Sequence, residues 1–216
     1  MKKERLISLM TLAELAAAAA AILLDLLIPT LVVLALMAIS LLLRREGLSS
    51  LGFRKFPPRL ILSAFLLAVF WTAVDFGLFL PLLNRLTGGS RILAAYETLK
   101  GDTAQLLGLL VLGWTLAALG EETVYRGYLP SRITALIGNN AAGRALAIGI
   151  SCVLFGLAHR EQGVTGVVIT ALDALFFTWV KARHGGNLWA AIFTHGFLNT
   201  IGIVVFFFTG PLYGLW

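Results

Sequence analysis

An all-α bundle crossing a membrane about seven or eight times is the fold class this sequence predicts, on three observations. Of its 216 residues, 59% are hydrophobic and only 13% are charged, about half the charged fraction of a soluble domain. Mean hydropathy is +0.90, so the surface cannot be kept in water and the bilayer is the solvent. The apolar residues also gather into runs, most of them approaching the roughly 20 residues that a membrane-spanning helix needs. These crossings use up the chain, leaving one integral membrane domain over 1–216 and no separate soluble one.

The runs lie at about 6–27, 29–43, 60–83, 104–129, 143–159, 163–181 and 188–209. The first sits in MKKERLISLMTLAELAAAAAAILL, which has the basic-then-apolar look of an export signal. Its apolar stretch continues through Leu24 and the rest of the chain is equally membrane-like, so it reads as an uncleaved first helix. RREGLSSLGFRKFPPR separates the second and third runs, and NRLTGGSR follows the third. SRILAAYETLKG, at 90–101, is amphipathic and expected to lie along the membrane surface or to extend the fourth helix. IGNNAAGR, HREQG and KARHGGN divide the remaining runs. His184, in the last of these, reads as a solvated loop residue.

Orientation follows from where lysine and arginine collect. With the amino terminus in the cytoplasm and one crossing per run, Arg85, Arg91, Lys100 and Arg160 fall on the far side. The other 13 of the 17 basic residues fall on the cytoplasmic side. The carboxyl terminus is then expected on the side opposite the amino terminus. The net charge of +6 reads as basic cytoplasmic loops; no basic helix with interleaved aromatics stands out as a nucleic-acid reader. Cys152, the single cysteine, excludes an internal disulfide and a multi-cysteine zinc site.

Ionisable residues inside such runs are costly and therefore face the bundle interior and find partners. They are Glu14, Asp25, Asp75, Glu121, Glu122, Arg126, His159, Asp173 and His195. Asp75 and Asp173 are expected to make interhelical hydrogen bonds or to sit protonated in the core. Glu122 and Arg126 are four apart, acid first, and so stack as an ion pair on one helix face. Glu121, about 100° round the helix, has no local cation. A carboxylate of that kind in an apolar setting suits a general base.

GISCVLFGLAHR places Phe155 and His159 four apart, and NLWAAIFTHGFLNT does the same for His195 and Asn199. An imidazole and a carboxamide on one face offer two hydrogen-bond donors to a developing oxyanion. A carboxylate and a histidine from two other helices could position and deprotonate a water. At about 1.5 Å per residue, Glu121 lies roughly 12 Å above Leu129, taken as the end of its run, and His195 as far above Asn187. His159 comes out at roughly 22 Å above Arg144, two turns out of step. Glutamates and histidines in membrane helices also serve as proton relays, so a proton-coupled transporter stands as an alternative. No internal symmetry of the kind transporters carry is visible.

EETVYR (Glu121–Arg126), FGLAH (Phe155–His159) and HGFLN (His195–Asn199) fit the patterns EExxxR, FxxxH and HxxxN. In this order and at these separations they resemble the signature motifs of the CPBP family, the CAAX proteases and bacteriocin-processing enzymes also called the Abi family of intramembrane proteases. The flanking GEExxxRGYL and GNLWAAIxxH are similar to the family's usual contexts, and the likeness covers 104–202. It implies an endopeptidase acting on a peptide bond at the membrane, with a peptide or prenylated protein as substrate and the lipid bilayer as surroundings. By motif position, Glu121 and His159 would activate water, and His195 and Asn199 would hold the oxyanion. Glu122, Arg126 and Phe155 would support them. The family is commonly labelled metallopeptidase, and Glu121, His159 and His195 make an acceptable zinc set. The sequence has no HExxH pair, and a glutamate-activated water needs the same residues without metal, so no cofactor is required. The family also contains members that serve as membrane scaffolds.

Overall fold

The computed structural model describes residues 2–211; residue 1 and residues 212–216, and with them the expected placing of the two chain ends, lie outside the described residues. Among the described residues the fold is helical throughout, with no strand. Each apolar run becomes one helix: α1 (Lys2–Leu23), α2 (Pro29–Arg44), α3 (Arg59–Thr87), α4 (Thr103–Ile137), α5 (Ala141–Leu157), α6 (Gly163–Arg183) and α7 (Leu188–Thr209). Five are long and apolar enough to cross a membrane, while α2 and α5 are shorter apolar helices. Large side chains such as Leu42, Leu86 and Phe208 are exposed on the outside, the arrangement a lipid solvent permits and water does not. Inside, Ala18, Ala21, Ala64 and Ala68 are buried, small enough for helix axes to approach closely. The chain is an integral membrane protein.

Alternate loops gather at the same end. At one end, the Leu188 amide donates to the Gly52 carbonyl at 2.8 Å and Asn187 Nδ2 donates to the Lys55 carbonyl at 3.1 Å. Lys181 Nζ donates there to the carbonyls of Leu51 and Arg126. At the other end, the Ile92 amide donates to the Gln162 carbonyl at 3.0 Å. Arg91 Nε donates to Gln162 Oε1 at 2.7 Å, and Arg160 lies 3.5 Å from Asp25. Loops 45–58, 138–140 and 184–187 thus share a basic face, and loops 24–28, 88–102 and 158–162 share the opposite one.

Glu14 is a structural knot. It pairs with Arg44 at 3.1 Å and Arg132 at 3.8 Å, and it accepts from Ser40 and Tyr128. That ties α1 and α2 to α4 without leaving a bare charge in lipid.

Three sequence expectations need correcting. α4 does not stop near Leu129 but runs through Pro130 to Ile137. Its middle is wound as π-helical turns over Gly113–Glu121 and Thr123–Tyr128, and Pro130 falls in the first turn after them, where its missing N–H is tolerated. Residues 90–101 form no amphipathic helix. They make a single 3₁₀ turn, Ala94–Tyr96, and fold inward on the buried Leu93 and Leu99. His184 lies in a turn as expected but is half-buried, its ring meeting Ser63 Oγ at 3.1 Å and the Val180 carbonyl at 2.9 Å.

The longer α4 also settles the height of His159. Counted from Ile137, Glu121 stands roughly 24 Å up its helix, in step with His159 above Arg144. The α4–α5 hairpin simply reaches further down than its neighbours, and Ser151 Oγ donates to the Tyr125 carbonyl to fix that register.

Candidate active site

Glu121 (α4), His159 (directly after α5), and His195 and Asn199 (α7) line one cavity of about 160 Å³. Three separate helical segments deliver them, at the spacings their motifs prescribe. Phe155 is on the same wall. The sequence-derived set therefore converges.

Glu122 and Arg126 lie beneath that cavity. Their side chains are 0% and 1% exposed, with Arg126 Nη1 3.1 Å from Glu122 Oε1. No guanidinium N–H of Arg126 has a hydrogen-bond partner among the described residues, so the contact is an ion pair without an aligned hydrogen bond. The guanidinium lies over the Phe155 ring at 4.2 Å and is 5.3 Å from that of Phe177, a cation–π bracket in place of hydrogen bonds. Phe155 is thus the shelf for Arg126 as well as the wall beside His159, whose ring is 4.7 Å away.

Glu122 has a second partner that the helix periodicity does not reveal. Its Oε1 is 2.8 Å from His195 Nδ1. A carboxylate accepts, so Nδ1 carries the proton and Nε2 is the nitrogen left for other chemistry. Phe177 stacks on the His195 ring at 4.7 Å and 13°, fixing its plane. His159 is held the same way by a different acceptor, its Nδ1 donating to the Phe155 carbonyl at 2.9 Å. In the neutral ring, His159 Nε2 is therefore a bare lone pair.

α7 is brought close by a glycine. A Cβ on Gly196 would run into the six-membered ring of Trp114, and Trp114 Nε1 is anchored on Thr200 Oγ1 at 3.1 Å. Gly113 faces Asn199 and Ile203, where a Cβ would make ordinary van der Waals contact.

Several wall residues have no motif. Asp75 and Asp173, expected to be structural, both face the cavity. Asp173 does make the expected interhelical bond, accepting from Trp71 Nε1 at 2.6 Å, whereas Asp75 Oδ1 is buried without a hydrogen-bond partner among the described residues. Arg91, Tyr96 and Gln162 close the side toward loops 88–102 and 158–162. Burial holds the Tyr96 phenol above its ordinary range, against the opposing pull of Arg91, so it stays a hydrogen-bond donor at neutral pH. Nothing in the local sequence marks these three, because loop closure in space brings them in. Of the aromatics Trp114, Phe176, Phe177, Trp179, Trp189 and Phe193, only Phe177 lines this cavity; the others pack, as in the stacked Phe176–Trp179 pair.

Among the described residues, no three of His, Cys, Asp and Glu come together as an ion's ligands. Glu121, His159 and His195 share a cavity but are not drawn to one point.

Residues 103–201 match the family model described as Rce1-like, type II CAAX prenyl endopeptidase. No curated protein and no solved structure matches the chain.

Proposed function

By the match over residues 103–201 the chain belongs to the Rce1-like family of CAAX-type intramembrane proteases, and from that premise we propose a mechanism of peptide hydrolysis at its cavity. The observation that carries it is the convergence of Glu121, His159, His195 and Asn199 on one cavity. A water there is hydrogen-bonded to the Glu121 carboxylate and to His159 Nε2, which the Phe155 carbonyl keeps free as an acceptor. Glu121 takes the water's proton as its oxygen adds to the scissile carbonyl carbon. The carbonyl oxygen becomes an oxyanion and receives a hydrogen bond from Asn199 Nδ2. His195 adds a second through Nε2 in its doubly protonated form, for which Glu122 on Nδ1 is the counter-charge. The C–N bond then breaks, the departing amine takes the proton Glu121 held, and acid and amine products leave.

No step is routed through a metal. The substrate class is a peptide held at the membrane, a prenylated protein being the kind the family's description names. A scaffold of the same family would need the fold but not the reaction. Glu121→Gln separates the two readings. It keeps the side chain's size and removes the base, so turnover of a fluorogenic peptide in detergent should fall by about 10²–10⁴ while unfolding is unchanged. Undiminished turnover removes Glu121 from the mechanism. Absence of turnover by the parent on every peptide tried, prenylated or not, would favour the scaffold.

A further inference from the structure

A second cavity, of about 510 Å³, lies between α4, α5 and α6 and shares no lining residue with the one that holds Glu121. Its volume falls in the range of small-molecule sites, about 300–1,000 Å³. Leu51, Asn139 and Gly186 bring to its wall one residue from each of the three loops at the basic face, so it sits where the helices leave the bilayer. Pro130, Ala135, Ile148 and Ala182 make much of the rest apolar.

Arg126, Arg144 and Lys181 line this cavity, and no acidic residue does. The Arg126 guanidinium is spent on Glu122 and the Phe155 ring, which leaves Lys181 and Arg144 as the charges on offer. Neither has a carboxylate within ion-pair distance among the described residues. Glu122, whose charge Lys181 feels from further off, is already shared by Arg126 and His195. Lys181 Nζ donates to the carbonyls of Arg126 at 2.6 Å and Leu51 at 3.2 Å, which uses two of an ammonium's three N–H groups on neutral acceptors. A Cβ on Gly52 would run into the Lys181 stem, so this close approach holds the ammonium in place. Arg144 spends Nη1 on Asn139 and keeps Nε and Nη2. Basic groups at the edge of an apolar protein, with no counter-charge of their own, call for an anion.

The apolar walls say what kind of anion. Ala182 continues a stripe of α6 that includes Trp179 and Leu175, which are 49% and 48% exposed. A tryptophan of that kind sits at headgroup level, and an acyl chain fits along the stripe below it. Lysine- and arginine-rich loops mark the cytoplasmic side, where the leaflet carries anionic lipid and basic pockets between helices take its headgroups.

We infer that this cavity binds an anionic membrane phospholipid, with its phosphate between Lys181 Nζ and Arg144 and an acyl chain laid on Ala182 and Trp179. The site does not depend on the hydrolytic reading. Its occupant does reach the same helix, because Arg126 and Gly127 belong to the wall and Lys181 holds the Arg126 carbonyl. A bound lipid therefore braces the π-helical stretch that carries Glu122, and stabilises the fold.

The full chain, delipidated in a neutral detergent, is titrated with phosphatidylglycerol, phosphatidylcholine or inorganic phosphate. Native mass spectrometry counts retained lipid, and thermal unfolding follows stability. One phosphatidylglycerol per chain is expected to be retained and to raise the unfolding midpoint saturably, with phosphatidylcholine and inorganic phosphate doing neither. Arg144→Gln, at an exposed position, should weaken phosphatidylglycerol about five-fold, one basic group's share. Ala182→Trp fills the cavity from another exposed position and should abolish retention. Arg85→Gln, exposed at the opposite end of the bundle, should change nothing. Equal retention of phosphatidylcholine overturns the site, as does phosphatidylglycerol binding that both cavity variants leave intact or that Arg85→Gln weakens as much as Arg144→Gln. A midpoint shift from inorganic phosphate equal to that from phosphatidylglycerol gives the cavity to a soluble anion and overturns the lipid.

Discussion

Arg126→Ala is the sharpest test of how the site is held. The substitution removes a guanidinium whose side chain is 1% exposed and leaves Glu122, 0% exposed, without its nearest cation. Breaking a buried pair from one side costs about 3–5 kcal/mol, and a desolvated cation–π contact such as that with Phe155 adds about 1–2 kcal/mol. The lower end of each range applies. Arg126 makes no aligned hydrogen bond through its guanidinium, and Glu122 keeps His195 at 2.8 Å. The two losses together come to about 4 kcal/mol. Little of this is screened by solvent, because neither group reaches it. The double variant Glu122→Gln, Arg126→Met removes both charges and should recover about 2 kcal/mol of that loss, since no bare charge stays buried. Reversible unfolding in bicelles, followed for parent, single and double variants, reads both numbers. A single variant within about 1 kcal/mol of the parent, or a double variant worse than the single, refutes the buried-pair reasoning.

Asn199→Ala should lower kcat by about 10²–10³ with little change in KM, as loss of one oxyanion donor does; steady-state kinetics in detergent check the split. Gly196→Ala should destabilise by about 1–3 kcal/mol, because its Cβ meets a Trp114 ring that Thr200 holds in place. Adding Trp114→Leu should restore most of that loss in the same unfolding assay. Turnover should survive prolonged dialysis against a chelator, and inactivation reversed by added zinc would restore a metal to the mechanism.

Much of this was legible because a bilayer makes the sequence speak plainly. A span must satisfy its own backbone, so it appears as an unbroken apolar run, and each run corresponds to one helix. Charges inside those runs stand out against an apolar background, and helical spacing of four predicted the Glu122–Arg126 pair. What stayed hidden depends on contacts distant in sequence or on unusual winding. The Glu122–His195 bond joins residues 73 apart in the chain, and no period announces it. The apolar run ends at Leu129, but the helix does not, because Pro130 falls in the first turn after π-helical winding, where its missing N–H is tolerated. Arg91, Tyr96 and Gln162 carry no motif; the loop hydrogen bonds between Ile92, Arg91 and Gln162 put them at the rim.

On the proposed mechanism, the adjacent glutamates differ only in the direction each faces, and that direction separates a scaffold from a base. Neighbours on a helix point about 100° apart, so only one of Glu121 and Glu122 can face the next helical turn's Arg126 and the His195 ring beyond it. Glu122 does, and is wholly buried with two cation-capable neighbours on one oxygen. Glu121 is turned into the cavity, where His159, His195 and Asn199 also face. Their roles therefore cannot be exchanged. Moving the acid from 121 to 122 strands a base where no water reaches, and moving it from 122 to 121 leaves Arg126 a buried cation and His195 without the acceptor that fixes its free nitrogen. On the proposed mechanism the EE dipeptide is needed as a pair, because one carboxylate holds the imidazole beside which the other works.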